Sequence, residues 1–161
     1  ESPLDGWKEL LSLLQPGGLI KIGLYSKIAR ESLTKLKARI IPKDYNGSVD
    51  EIRTIRNKII NFNTKSPVDL IRWGDFFSMS ETRDLMFHVQ EHQFTLLLIN
   101  EMLQKLDLSF CGIENVDIKN KFSKKYHKVS DLYDLNLWHE FEVNNPNIFT
   151  GMYQFWCQKK S

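Results

Sequence analysis

The densest polar chemistry in the chain sits in one short string, His88-Val89-Gln90-Glu91-His92. Two imidazoles and a carboxylate this close could ligate zinc, or take a proton from a substrate. An H-x-x-E-H string holds zinc when both His share one helical face, four apart, with a third ligand downstream. Here Phe94-Thr95 opens a new helix directly after the string, which puts His92 before a helix rather than inside one. No downstream ligand motif follows, so no metal site is assigned. Two readings of the string stay open. His88 and Glu91 could handle a proton, or the polar groups could satisfy one another structurally.

Tyr25, Arg30 and Arg83 are further candidates. Tyr25 ends an apolar run, and ligands in open α/β sheets gather at the carboxyl ends of strands. Arg30 and Arg83 could grip an acidic substrate, or form surface ion pairs of little consequence. From Lys21 to Lys43 seven basic residues stand against Glu31 alone. They fall on the polar side of an amphipathic pattern. They read as a solvated face rather than a nucleic-acid footprint. Phe149, Tyr153, Phe155 and Trp156 could stack bases, but aromatics on a strand pattern read as core.

The elements that must position these groups follow from periodicity. Leu4, Trp7, Leu10, Leu11 and Leu14 form one helical face, with Ser2 to cap it, Pro3 at its first position and Asp5 where a capping-box acid would stand. Gln15-Pro16-Gly17-Gly18 ends that helix. Leu19 to Tyr25 reads as a strand buried on both faces. Ser26 caps a helix whose stripe is Ala29, Leu33, Leu36 and Ile40, and Pro42 stops it. Val49 to Phe62 reads as a helix facing inward through Ile52, Ile55, Ile59 and Ile60. Ser66-Pro67 opens a short helix carrying Leu70, Ile71 and Trp73, and Ser78 starts another that runs to Met86. The stretch from about 42 to 86 is longer than a connector and reads as a helical cap inserted over a site. Thr95 caps the helix Leu96 to Leu106, and Leu108 to Glu114 is a second strand. Residues 115–129 read as a basic, irregular loop. Ser130 caps a helix with Leu135, Trp138 and Phe141 inward, and Phe149 to Gln158 is a third strand. Helix, strand, helix is the rhythm of an α/β sheet.

The segment LDGWKELLSLLQPGGLIKIGLYSKIAR resembles the later part of a class I S-adenosylmethionine-dependent methyltransferase. There an amphipathic helix enters a Leu-x-Pro-Gly-Gly turn that feeds the fifth strand. SETRDLMFHVQEHQFTLLLI, LSFCGIE and LWHEFEVNNPNIFTGMYQFW resemble, more narrowly, a bacterial group of such domains often found behind helical repeats. The resemblance covers almost the whole chain. It implies the C-terminal half of a Rossmann-like sheet, strands five, six and seven with the last antiparallel. It treats His88 and Glu91 as catalytic candidates near the acceptor pocket, with Tyr25, Arg30, Gln90 and His92 binding the acceptor. The cofactor grips of that family do not appear here. The chain contains no G-x-G, and no acid follows a recognisable second strand. S-adenosyl-L-methionine is thus expected in an intact parent domain, and the chain starts just after the family's fourth strand, as a fragment would. The alternative is a non-catalytic interaction module derived from the same fold.

Composition bounds the rest. The chain has 161 residues, 42% hydrophobic and 26% charged, with a net charge of +2. That excludes a disordered tail, a collagen and a coiled-coil rod. No apolar run reaches the roughly 18 residues of a membrane span, and the chain opens acidic and amphipathic rather than like a signal peptide. Cys111 and Cys157 do not make a disulfide framework. A cytoplasmic protein with two free thiols is expected. The methyl acceptor is not specified by any residue pattern. An apolar strand 19–25 without its usual neighbour would leave an edge open to a second copy of the chain.

Overall fold

The computed structural model describes residues 2–42, 44–45, 47–61, 76–87 and 91–160. It is a mixed α/β structure that divides into two compact units, Glu1–Arg30 with His92–Ser161, and Glu31–Glu91.

The first unit carries a four-stranded sheet. Helix α1 (Pro3–Ser12) leads to strand β1 (Leu19–Ser26), after which α2 (Lys27–Ile40) runs on into the second unit. The chain returns with β2 (Gln93–Phe94), α5 (Leu96–Lys105), β3 (Leu108–Ile113), α6 (Val116–Ser123), α7 (Leu135–Asn144) and β4 (Met152–Lys159). The sheet order is β2-β1-β4-β3. Strand β2 is parallel to β1, while β4 is antiparallel to both β1 and β3.

The turn before β1 explains its own sequence. Gly17 has φ +76°, a conformation that costs other residues a Cβ clash. A Cβ on Gly18 would meet Leu14 Cδ2 at 2.7 Å and the Gln15 carbonyl at 2.8 Å. Both glycines are required. The turn is tied across the sheet to the end of β4: Gly17 N–H donates to the Lys159 carbonyl, and Lys159 N–H to that of Gly18, each at 2.9 Å. Lys159 Nζ donates to the Leu11 carbonyl, which also accepts from Leu14 N–H, and to the Leu14 carbonyl just past the end of α1.

Strand β1 alternates, which corrects the expectation of a strand buried on both faces. Ile22 is buried with Ile20 and Leu24 packed beside it, whereas Lys21 and Gly23 are exposed. Its register partners repeat the pattern: Ile22 opposes Phe155 and Leu24 opposes Tyr153, both fully buried. A half-covered sheet face selects alternation, and an apolar run cannot reveal that by itself. Only Tyr25 and Ser26 of β1 pair with β2 on the outer side. Among the described residues no strand covers the outer edge of 19–24.

Other elements differ in detail from the periodicity. Ser2 occupies the N-cap of α1 without a side-chain cap bond, and Asp5 pairs with Lys8 at 3.1 Å instead. Residues 115–129 are not an irregular loop. Helix α6 forms there, capped by Asn115 Oδ1 accepting from Ile118 N–H at 3.1 Å. Only Ile118 and Phe122 mark its inner face, so lysines conceal it. Asp134, not Ser130, caps α7, and Val129–Tyr133 is a 3-10 turn. Strand β4 starts at Met152 rather than Phe149, because Thr150 and Gly151 take positive φ. Thr95 and Ser26 cap as expected, Thr95 for α5 and Ser26 for α2.

The second unit has its own core. Helices α3 (Val49–Asn61) and α4 (Met79–Phe87) bury Ile55, Ile59, Leu85 and Met86 with Leu33, Leu36 and Ile40. Ile60, expected inward, is exposed because it falls off the 52–55–59 stripe. The short helix expected around Leu70, Ile71 and Trp73 lies outside the described residues. Among the described residues no helix is long and apolar enough to cross a membrane.

Candidate functional site

The candidate residues fall at different places. His88 and Gln90 lie outside the described residues. Glu91 belongs to the second unit, where its carboxylate meets Lys37 Nζ at 3.5 Å with little solvent around either. The other three, Tyr25, Arg30 and His92, belong to the first unit and converge on the carboxyl end of β1.

That convergence has a local cause. Tyr25 is the penultimate residue of β1, and Ser26 turns the chain into α2, so Arg30 returns one turn later beside the strand end. The Arg30 guanidinium lies 3.8 Å from the centroid of the Tyr25 ring, a cation–π stack. Arg30 is buried, 5% exposed, which corrects the expectation of a surface ion pair. Arg83 is exposed and donates to the Gly47 carbonyl at 3.1 Å in the second unit. His92 is exposed and precedes Gln93, the residue in register with Tyr25. An aromatic ring, a guanidinium and an imidazole thus gather at the edge where parallel strands present ligands. Of the three, Arg30 is buried under its stack on Tyr25 and His92 alone is exposed.

Beneath that edge lies a polar group that the sequence reading did not single out. Glu142 on α7 is fully buried. Ser26 Oγ donates to its Oε1 at 2.5 Å, and Tyr153 Oη donates to its Oε2 at 2.7 Å. Ser26 Oγ also accepts from Ala29 N–H at 3.0 Å. Ser26 N–H donates to the Gly151 carbonyl at 2.9 Å, fastening the end of β1 to the start of β4. Burial pushes the Glu142 carboxyl above the usual carboxylate range, and the two hydroxyl bonds offset part of that. Burial first, then the neighbouring Glu142 charge, pushes the Tyr153 phenol upward. A signal existed. Glu142 follows Leu135, Trp138 and Phe141 on one helical stripe, where an acid is out of place.

The two thiols are free. Cys157 is fully buried and its thiol is pushed up to about 12, chiefly by burial and then by Cys111. Burial alone raises Cys111. Thiols held protonated in this way are poor nucleophiles. Among the described residues no group of three potential metal ligands gathers.

No protein-family model matches this chain, and no curated protein does. Among solved structures it is similar to PKMT2 from Rickettsia typhi, with a TM-score of 0.57 at 12% identity. The match covers all of this chain and 34% of that one, so this chain spans about a third of its neighbour's length. At that identity the likeness concerns the fold alone.

Proposed function

We propose that the chain is the acceptor-side part of an S-adenosylmethionine-dependent methyltransferase domain. The observation that carries this is the strand order β1-β4-β3, in which an antiparallel β4 separates two parallel strands. That order corresponds to strands five, seven and six of the class I fold, with β1 as five, β3 as six and β4 as seven. The likeness to PKMT2 supports the same reading.

The residues present do not fit the cofactor on their own. At the carboxyl edge of β1 the glycine is Gly151, whose carbonyl is committed to Ser26 N–H. It closes the sheet edge and forms no cradle. The acid at that edge, Glu142, is sealed between two hydroxyls and out of reach of a ribose. The role left to this chain is to hold and deprotonate the acceptor. Tyr25 and Arg30 form the platform on which the acceptor rests. His92 orients it, and the resemblance read from the sequence assigns its proton to His88 or Glu91, with Gln90 between them. Alignment and a positioned base are what the acceptor side of a methyl transfer must supply.

The test has two arms. Calorimetric titration of the isolated chain with S-adenosylmethionine should show no tight binding, and low-micromolar binding would overturn the cofactor argument. In the parent polypeptide, His88→Ala and Glu91→Ala should each lower turnover by about 10²-fold or more while cofactor affinity holds. Wild-type turnover in both variants would remove the acceptor role.

A further inference from the structure

One buried carboxyl group ties together four elements of the first unit. Glu142 comes from α7, Ser26 from the end of β1, Tyr153 from β4, and the Phe94 carbonyl from β2. The Tyr153 hydroxyl lies 2.7 Å from Glu142 Oε2 and 3.4 Å from the Phe94 carbonyl oxygen. Ser26 Oγ reaches Glu142 Oε1. These are three oxygen–oxygen contacts, and each needs one hydrogen. With an ionised carboxylate only the two hydroxyl hydrogens exist, and one contact goes without. With a protonated carboxyl there are three. Ser26 donates to Oε1, Oε2 donates to Tyr153, and Tyr153 donates to Phe94.

The surrounding charges point the same way. Tyr153 is the titratable group in contact from β4, and it is neutral. Cys157, farther along the same face of β4, is a neutral thiol. Arg30, one turn along α2 from Ser26, stacks on Tyr25 and makes no ion pair with Glu142. On α7, His139 makes no ion pair with Glu142, and Glu140 pairs with Lys125. Helix α5 packs on α7 through apolar side chains in the shared core, and its Glu101 and Lys105 are exposed. Among the described residues no cation pairs with Glu142, and a fully buried carboxylate so placed is costly, a cost the neutral acid avoids.

We propose that Glu142 is held as a neutral carboxylic acid and serves as a clamp on the carboxyl ends of β1 and β2, released when it ionises. The inference goes beyond the methyltransferase reading and does not depend on it. Strand β2 is two residues long, and the contact to the Phe94 carbonyl adds to its pairing with β1 and to the burial of the Phe94 ring. The direction with pH follows from the raised acid. The clamp is complete below the ordinary glutamate value, about 4.3. It is lost as pH climbs through the higher value that Glu142 has in the folded chain.

Carbon-detected NMR of side-chain carboxyls on the whole chain tests this, with Glu142 assigned through its own backbone. Its signal should remain that of the protonated acid at pH above the ordinary glutamate value, about 4.3; ionisation at that ordinary value overturns the proposal. Hydrogen exchange at the Gln93 and Phe94 amides gives the second measurement. Between the ordinary glutamate value and the raised one of the folded chain, protection should fall by up to about tenfold per pH unit beyond the intrinsic rise, and the extra fall should level off once Glu142 ionises. Glu142→Gln should abolish that extra dependence, because the amide can accept from Ser26 and donate to Tyr153. The same dependence in both proteins would show that the clamp does not titrate. Should the Gln variant fail to fold, the carboxyl titration of the unmodified chain still decides.

Discussion

Glu140 and Glu142 lie two residues apart on α7, yet a turn of 200° separates them around the helix. Glu140 is exposed and pairs with Lys125 at 2.8 Å. That hydrogen-bonded ion pair holds its carboxyl below the usual range. Glu142 is fully buried, bonded only to neutral hydroxyls, and pushed the other way. The two therefore respond oppositely to pH. What Glu140 contributes is present above the ordinary glutamate value and lost as pH falls through its lowered one. What Glu142 contributes is present below the ordinary value and lost as pH rises. Identical side chains on one helix differ because one face of α7 packs against sheet and α5 while the other meets water.

The largest effect expected from breaking this contrast is on the buried face itself. Trp138 is fully buried, its ring centroid is 3.7 Å from that of Phe122, and its indole N–H donates to the Leu132 carbonyl at 3.0 Å. Trp138→Ala should cost about 3–5 kcal/mol. Denaturant unfolding measures it, and a cost near zero would mean that α7 does not pack as described. Next comes Glu142→Ala, which strands two buried hydroxyls and should cost about 1–3 kcal/mol. Glu142→Gln should cost clearly less, and equal losses would mean that shape rather than hydrogen bonding is at stake. The smallest effect belongs to Glu140→Gln. An exposed pair of this kind contributes little, and salt screens it further. Its unfolding curve should overlay that of the unmodified chain, and a large shift would erase the distinction between the two faces.

Much of the fold was legible where one residue type has one use. Pro16-Gly17-Gly18 announced a turn because Gly17 needs positive φ and Gly18 leaves no room for a Cβ. Thr95 announced α5 by its cap, and the stripe Leu33, Leu36, Ile40 announced α2. Less was legible where burial depends on distant chain. Helix α6 was hidden because its lysines swamp a two-residue apolar face. Phe122 is fixed by Tyr126 and by Trp138 and Phe141 of α7, up to nineteen residues on. The site was half legible. Tyr25 was placed at the strand end by the apolar run before it. Arg30 looked like a surface charge and is a buried stack.

By itself the sequence determined the local grammar: the α/β rhythm, the caps at Ser26 and Thr95, and most of the order in which strands and helices follow, β2 and α6 excepted. These depend on dihedral preferences and periodicity, which act over a few residues. Only the tertiary structure decided which strands lie side by side, that β1 is covered on one face, and that Ser26, Glu142 and Tyr153 meet. Ser26 and Glu142 are separated by 116 residues, and their bond exists because β4 returns antiparallel beside β1. The carboxyl's environment is set by what packs around it, and that is decided by the whole chain at once.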